Sequence, residues 1–271
     1  MRLVIDTNQA DRVPDMLPTD LLGLTLSPFL LAEVLLRGHR PRINTLAQLS
    51  RHDMRIGMQP VEMLDLVATL DADGIADATP FPEPNSEVDR LSRRLLNEAD
   101  YGSAAEWAKR VKASHLKFCG GLVSLSTRAR KEIKRQRIER LADFPDALEQ
   151  LAQGPDSFLG SLVNTSVRNK GRRPVVIQDA EALYTAVMTN PYLRRYFHAL
   201  LYYVVSISRL WRDQRLNRDP ASTRDDWADL ALSHYVGDGD IIVSNDALVR
   251  QAFAAIDPSI RVLEATGLGS L

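Results

Sequence analysis

Cysteine is almost absent from this chain: one thiol, Cys119, in 271 residues. A single cysteine excludes a disulfide framework and fits a reducing compartment. No catalytic sequence context surrounds it, so it reads as a small buried apolar side chain. Long apolar runs are missing as well. The longest, residues 199–207, is far short of the about 20 residues a membrane span needs, and Arg194, Arg195 and Arg209 bracket it. The chain runs straight into Leu3-Val4-Ile5-Asp6 with no apolar leader segment, so the expectation is a soluble, cytoplasmic protein without a membrane partner. There is no phosphate-cradling glycine loop, no G-x-S-x-G elbow and no C-x-x-C pair, which removes support for nucleotide hydrolysis, serine-esterase and zinc chemistry. The five histidines, His39, His52, His115, His198 and His234, lack metal-ligand spacing. His234 falls five residues after Asp229, off that residue's helical face, and reads as structural. Internal repeats and low-complexity tracts are absent too.

What is present divides into two similar ends and a different middle. Leu3-Val4-Ile5 and Leu24-Thr25-Leu26 are short apolar runs of the kind that form buried parallel strands. Ser27 offers an N-cap and Pro28 suits a first helical turn, so a helix is expected over residues 29–37, stopped by Gly38. A second helix is expected over 43–49 and a third strand over 54–58, closed by Pro60. At the far end Ser222 or Thr223 can cap a helix over 225–235 that Gly237 and Gly239 stop. A strand comes next at 241–243, then a helix at 246–255 and a last strand at 261–263. Strands alternating with helices predict a parallel α/β sheet, in which ligands bind beyond the carboxyl ends of the strands. Asp6 and Asp246 stand just past two such ends.

The middle has few strand signals. Residues 70–86 hold Asp71, Asp73, Gly74, Asp77, Pro80, Pro82 and Pro84 and read as a loop or linker, and 87–215 is mostly helical. The Tyr202-Tyr203 pair, with Phe197 and Leu201, reads as core packing. Charge is uneven: residues 107–173 carry 15 Lys and Arg against 6 Asp and Glu, a surplus of +9 in a chain of net −1. Residues 128–140 read as one basic helix, with Ala129, Ile133 and Ile138 as its few apolar positions. Arg128, Lys131, Lys134, Arg135 and Arg137 there, and Arg172 and Arg173 in a basic loop, are candidate phosphate contacts. A solvated face, or one pairing with the acidic remainder, is the plainer alternative.

Four acids from different elements suggest chemistry. Asp6 at a strand end, Glu33 on a helix, Asp229 on another helix and Asp246 at a second strand end could converge. Hard divalent ions such as Mg²⁺ and Mn²⁺ prefer such oxygen ligands. Phosphodiester hydrolysis gains from the ion twice, through an activated water and through neutralised phosphoryl charge. The apolar neighbours Ala32, Val34, Leu35 and Leu36 suggest that Glu33 is buried. Asp226, one turn before Asp229, is either a second ligand or a helix N-terminal acid favoured by the dipole. Asp246 can cap its helix and bind metal at once.

Four stretches together resemble the PIN-domain nucleases. Val4-Ile5-Asp6-Thr7-Asn8 looks like the opening strand and first acid, and Ser27-Pro28-Phe29-Leu30-Leu31-Ala32-Glu33-Val34 like the helix with the second. Asp226-Trp227-Ala228-Asp229-Leu230-Ala231 looks like the helix with the third, and Ile241-Ile242-Val243-Ser244-Asn245-Asp246 like the strand leading to the fourth. Ser244 stands where the family usually has threonine and keeps the hydroxyl. The resemblance covers roughly the first 60 and last 50 residues. It implies a Rossmann-like parallel sheet from residues 1–70 and 221–271, interrupted by a mainly helical, basic insertion over 71–220. It implies a metal-dependent endoribonuclease using Mg²⁺ or Mn²⁺. Asp6, Asp229 and Asp246 would ligate the metal; Glu33 would ligate or position water; Asn8, Asp226 and Ser244 would support them. Many bacterial members are toxins, which leaves room for an antitoxin or other protein partner and for a homodimer. The insertion is much longer than in a minimal member.

Two other readings compete. One is a non-catalytic nucleic-acid-binding or scaffold protein of the same fold. The other is a phosphatase of the haloacid-dehalogenase type, whose nucleophile motif Val67-Ala68-Thr69-Leu70-Asp71-Ala72-Asp73-Gly74 superficially resembles and whose late acidic motif Gly237-Asp238-Gly239-Asp240 could supply.

Overall fold

The computed structural model describes residues 2–6, 9–10, 23–81, 101–141, 143–170, 175–208, 223–264 and 266. Asn8, Arg172, Arg173 and Ser222 lie outside the described residues.

The short apolar runs form strands, the three central ones almost wholly buried and the two edge strands less so. The strands are β1 (Arg2–Ile5), β2 (Gly23–Leu26), β3 (Met54–Ile56), β4 (Ile241–Val243) and β5 (Arg261–Leu263). All pairings are parallel and the order is β3-β2-β1-β4-β5. Alternation along a strand splits its side chains between two cores. Leu3, Ile5, Leu24, Leu26, Ile241 and Val243 face one cluster, whereas Val4 and Ile242 face another with Leu232, Tyr235, Val249 and Phe253. A strand covered on both sides reads as a continuous apolar run, and so these segments were legible.

The first cluster is covered by α1 (Pro28–Leu35) and α2 (His39–Leu49). The Ser27 side chain caps α1 by accepting from the Leu30 amide at 3.1 Å. The expected stop at Gly38 is instead the N-cap of α2, which begins four residues earlier than the apolar pattern indicates. Proline is tolerated in a first helical turn, so Pro41 does not mark the boundary. The third strand ends at Ile56, two residues early, and α3 (Pro60–Val67) comes after it. The segment read as a loop contains a short helix, α4 (Ala72–Asp77): Asp71 accepts from the Gly74 amide at 2.9 Å and Ile75 is fully buried. Asn190 holds this helix from outside, donating to the carbonyls of Ile75 and Ala78 at 2.8 and 2.7 Å.

The middle of the chain is helical, as expected. It comprises α5 (Tyr101–Gln136), α6 (Ile138–Leu141), α7 (Phe144–Ala152), α8 (Phe158–Lys170), α9 (Ala180–Thr189) and α10 (Pro191–Ser206). The basic helix expected over 128–140 is the last part of α5 and is broken at Arg137, whose φ of 57° interrupts the helical run. Ala129, Ile133 and Ile138 are buried, as their spacing predicts. One end of α5 enters the sheet core through Ala104, Trp107, Ala108 and Val111, and the other enters the helical core through Leu122, Ala129 and Ile133. The helices of the middle therefore share cores with both ends of the chain. Tyr202, Tyr203, Phe197 and Leu201 are buried in the helical core. Among the described residues no helix is long and apolar enough to cross a membrane.

The expected helix over 225–235 is split into α11 (Thr223–Leu230) and a 3-10 turn (Ala231–Tyr235); α12 (Ala247–Ile256) comes after β4. The tighter winding brings Leu232, Tyr235 and Val236 onto the sheet. Tyr235 then reaches across to β3, donating its hydroxyl to the Met58 carbonyl at 3.0 Å. That contact requires glycine at 57, where a Cβ would lie 2.3 Å from the Tyr235 ring. Gly57→Ala is expected to cost about 1–3 kcal/mol, the range for overpacking a rigid site. Urea unfolding of the two proteins measures it, and equal midpoints would show that the ring moves aside freely.

Candidate carboxylate site

Two strand ends meet where the winding of the sheet reverses. From β1 the chain continues to β2 on one side, while β4 pairs with β1 on the other. Crevices at such switch points are where open parallel sheets bind ligands. Asp6 extends β1 by one residue, its amide donating to the Val243 carbonyl at 3.1 Å, and its side chain is 1% exposed. Ser244 extends β4 in the same way, donating its amide to the Leu263 carbonyl at 2.9 Å.

The hydroxyl of Ser244 ties the two strand ends together. It donates to Asp6 Oδ2 at 2.6 Å and accepts from the Asp246 amide at 3.0 Å. Asp246 in turn caps α12, its Oδ1 accepting from the Leu248 amide at 2.6 Å. An acid near the start of a helix also gains from the positive end of the dipole. These hydrogen bonds fix both the Asp6 carboxylate and the entry into α12.

Asp229 comes in from α11 and is held against Asp6 by a side-chain hydrogen bond. Burial raises its pKa, and the charges of Asp6, Asp246 and Asp226 raise it further, up to about 9. The physical content is simple: several carboxylates cannot all remain ionised in a space with little water, so one proton bridges Asp6 and Asp229. As a coupled pair, they hold that proton jointly. Asp226 belongs to this group, as its position one turn before Asp229 suggests.

Glu33 differs from expectation, being exposed on α1 rather than buried. Its neighbours Leu31, Ala32, Val34 and Leu35 occupy the buried positions of the helix, and Glu33 falls between them on the outer face. The groups acting on Asp229 are Asp6, Asp246 and Asp226.

The donors are oxygens throughout, the chemistry of Mg²⁺ and Mn²⁺. Their crowding fits a divalent cation, which would relieve the repulsion that the shared proton relieves here. As arranged, no group of three or more His, Cys, Asp or Glu among the described residues is placed to hold a metal ion.

Competing sites fare differently. Asp71 follows helix α3 rather than a strand and is occupied as the cap of α4, so the phosphatase-like nucleophile motif has no sheet edge to act from. Asp238 pairs with Arg195 at 2.8 Å and Asp240 accepts from the Arg2 and Gly237 amides, structural work in both cases. His234 is fully buried among aromatic rings, Tyr196 and Tyr235 at 5.3 and 5.1 Å, and burial lowers its pKa to about 3. Cys119 is buried, with the His115 ring at 3.6 Å.

The basic positions Arg128, Lys131, Lys134, Arg135 and Arg137 are exposed on the outer end of α5. Arg128 donates to Ser161 Oγ at 3.3 Å and Arg135 pairs with Glu132 at 2.5 Å. Helix α5 passes the site near Phe118, which stacks on Trp227 of α11 at 5.4 Å. At about 1.5 Å per residue, the basic end lies about 15–30 Å further along the axis. Sequence reasoning did not single out Phe29, His115, Phe118 or Trp227, which gather beside α11.

No protein-family model, curated protein or solved structure matches the chain.

The shared proton makes stability depend on pH with a definite sign. The folded protein holds a proton that the unfolded chain releases at ordinary carboxylate pH. The stabilisation is therefore full in acid and is lost as pH rises toward about 9. In EDTA, the unfolding midpoint of the wild type should fall between pH 5 and pH 9, and that of Asp229→Asn should fall less. Parallel pH profiles would refute the assignment of the proton.

Proposed function

We propose that the chain is a metal-dependent endoribonuclease of the PIN-domain type. The observation that carries this reading is the meeting of Asp6, Asp229 and Asp246 at the switch point of a five-stranded parallel sheet, with Ser244 hydrogen-bonded to the first and to the backbone of the last. Strongly perturbed acids in such a crevice are a recognised mark of a functional site. A structural ion pair would explain neither the concentration of like charge nor its place in the sheet.

Asp6, Asp229 and Asp246 would hold a Mg²⁺ or Mn²⁺ ion, with Asp226 beside them. The ion would supply an activated water and charge neutralisation at the phosphoryl group. The protein's own part is orientation. Ser244 fixes one oxygen of Asp6, and Asp246 uses one oxygen to cap α12, so both carboxylates are anchored by hydrogen bonds on rigid elements. Asp229, whose charged form is disfavoured by burial and by the neighbouring acids, would have to be ionised to serve as a ligand. Glu33, exposed on α1, would serve only if it can reach a water bound at this site. The basic end of α5 would hold the backbone of a long RNA at a distance from the cut.

Two measurements test this. Labelled RNA and single-stranded DNA are incubated with Mn²⁺, Mg²⁺ or EDTA and wild-type, Asp6→Asn or Ser244→Ala protein. The expectation is metal-dependent RNA cleavage that Asp6→Asn abolishes without weakening RNA binding and that Ser244→Ala reduces about 10–100-fold, the usual effect of removing a group that orients a ligand. Cleavage that survives Asp6→Asn would remove the site. Binding without cleavage by the wild type under every condition would favour a non-catalytic nucleic-acid-binding protein.

The second concerns the basic helix. Neutralising Lys134, Arg135 and Arg137 together should weaken binding of long RNA and flatten its salt dependence, by up to about 0.7 in the log–log slope for each lost phosphate contact to a single strand. Cleavage of a short oligonucleotide should not change, given the distance along α5. An unaltered slope on long RNA would make this face a solvated one.

A further inference from the structure

We propose that an aromatic cleft beside the carboxylates receives one nucleobase of a single-stranded RNA, unstacked from its neighbours; this rests on the nuclease reading above. The cleft has a volume of about 650 Å³ and lies among α1, α3, α5, α8, α10 and α11. That is within the range of about 300–1,000 Å³ typical of ligand sites. Its walls are aromatic: Phe29 and Phe118 are half-buried, and Trp227 and Tyr196 close the floor. Phe118 and Trp227 stack with an interplanar angle of 29°, and Phe29 lies 4.6 Å from the His115 ring. Every base has a π-face, and aromatic platforms of this kind bind single strands for that reason. Gln59, Ser114 and Thr165 add an amide and two hydroxyls able to meet base edges.

The charge around the opening matches a polyanion. Lys117 stands exposed at the rim. An acyl chain or an apolar peptide helix would leave this cation and the polar rim unmatched. The cleft also shares one helix with the acids: Trp227 lies in α11 between Asp226 and Asp229.

Gly121 gives access to the cleft from α5. It is exposed in the middle of a long helix, where glycine is less stable than alanine, and it lines the cleft. A Cβ built there meets nothing within 4 Å. Packing within the chain requires glycine at neither Gly120 nor Gly121, and Gly121 is the one that lines the cleft.

Gly121→Leu is therefore a test that does not threaten the fold, since it adds a helix-favouring side chain into open space. Binding of a short labelled oligoribonucleotide is measured in EDTA, where no cleavage occurs, alongside the same strand carrying abasic riboses. The variant should melt at or above the wild-type temperature and bind the intact strand about tenfold or more weakly, in line with the loss of one stacked base. The abasic strand should bind both proteins equally and weakly. Equal affinity of wild type and variant for the intact strand, equal affinity of the wild type for intact and abasic strands, or no binding of the intact strand would each overturn the proposal. Metal-dependent cleavage is scored separately. Cleavage with an unaffected Gly121→Leu removes the base site alone, whereas the binding difference without cleavage removes the nuclease reading alone.

Discussion

The parallel pairing of β1 with β4 brings together residues that are 238 positions apart in sequence, and the candidate site exists only because of it. Leu3, Val4 and Ile5 register against Ile241, Ile242 and Val243, so both strands end at the same level and both chains leave the sheet side by side. Asp6 and Ser244 are then the first residues past the edge, close enough for a 2.6 Å hydrogen bond. A one-residue slip would send every side chain of the strand to the opposite face and would separate the pair. The apolar packing that enforces register therefore also enforces the geometry of the acids.

Around that pairing the protein tolerates an unfavourable electrostatic arrangement. Four aspartates are gathered into a region where burial alone already disfavours charge, and Asp229 keeps a proton as a result. Two other buried groups differ. Buried Arg195 is matched by Asp238, Asp257 and the Val236 carbonyl, and buried His234 stays neutral among aromatic rings. At Arg195 opposite charges meet, whereas at the switch point of the sheet like charges stand close together.

Helix α5 links this site to the rest of the molecule. Its first part packs on the sheet beside α1, with Tyr101 donating to the Leu35 carbonyl and stacking on the Arg42 guanidinium at 3.5 Å. Its middle forms one wall of the aromatic cleft, and its end carries exposed cations. A stiff element of this length spaces these features along one helix.

The strands and most helices were legible because their signals are local. Doubly covered strands are apolar runs; Ser27, Pro28 and Asp246 mark helix starts through their own chemistry; Ala129, Ile133 and Ile138 show their burial by spacing. Where a boundary depends on a distant partner, the local signal failed. Helix α4 needs Asn190, the 3-10 turn needs the sheet face and Met58, and Glu33 is exposed because the α/β packing rotates its neighbours inward. The acids themselves could be named from the sequence, since each follows a strand or lies in a helix of recognisable pattern. Their approach, the proton between Asp6 and Asp229, and the cleft beside them come from strand order and helix packing. Residue chemistry is written in the chain, whereas proximity between residues far apart is set by which surfaces bury one another.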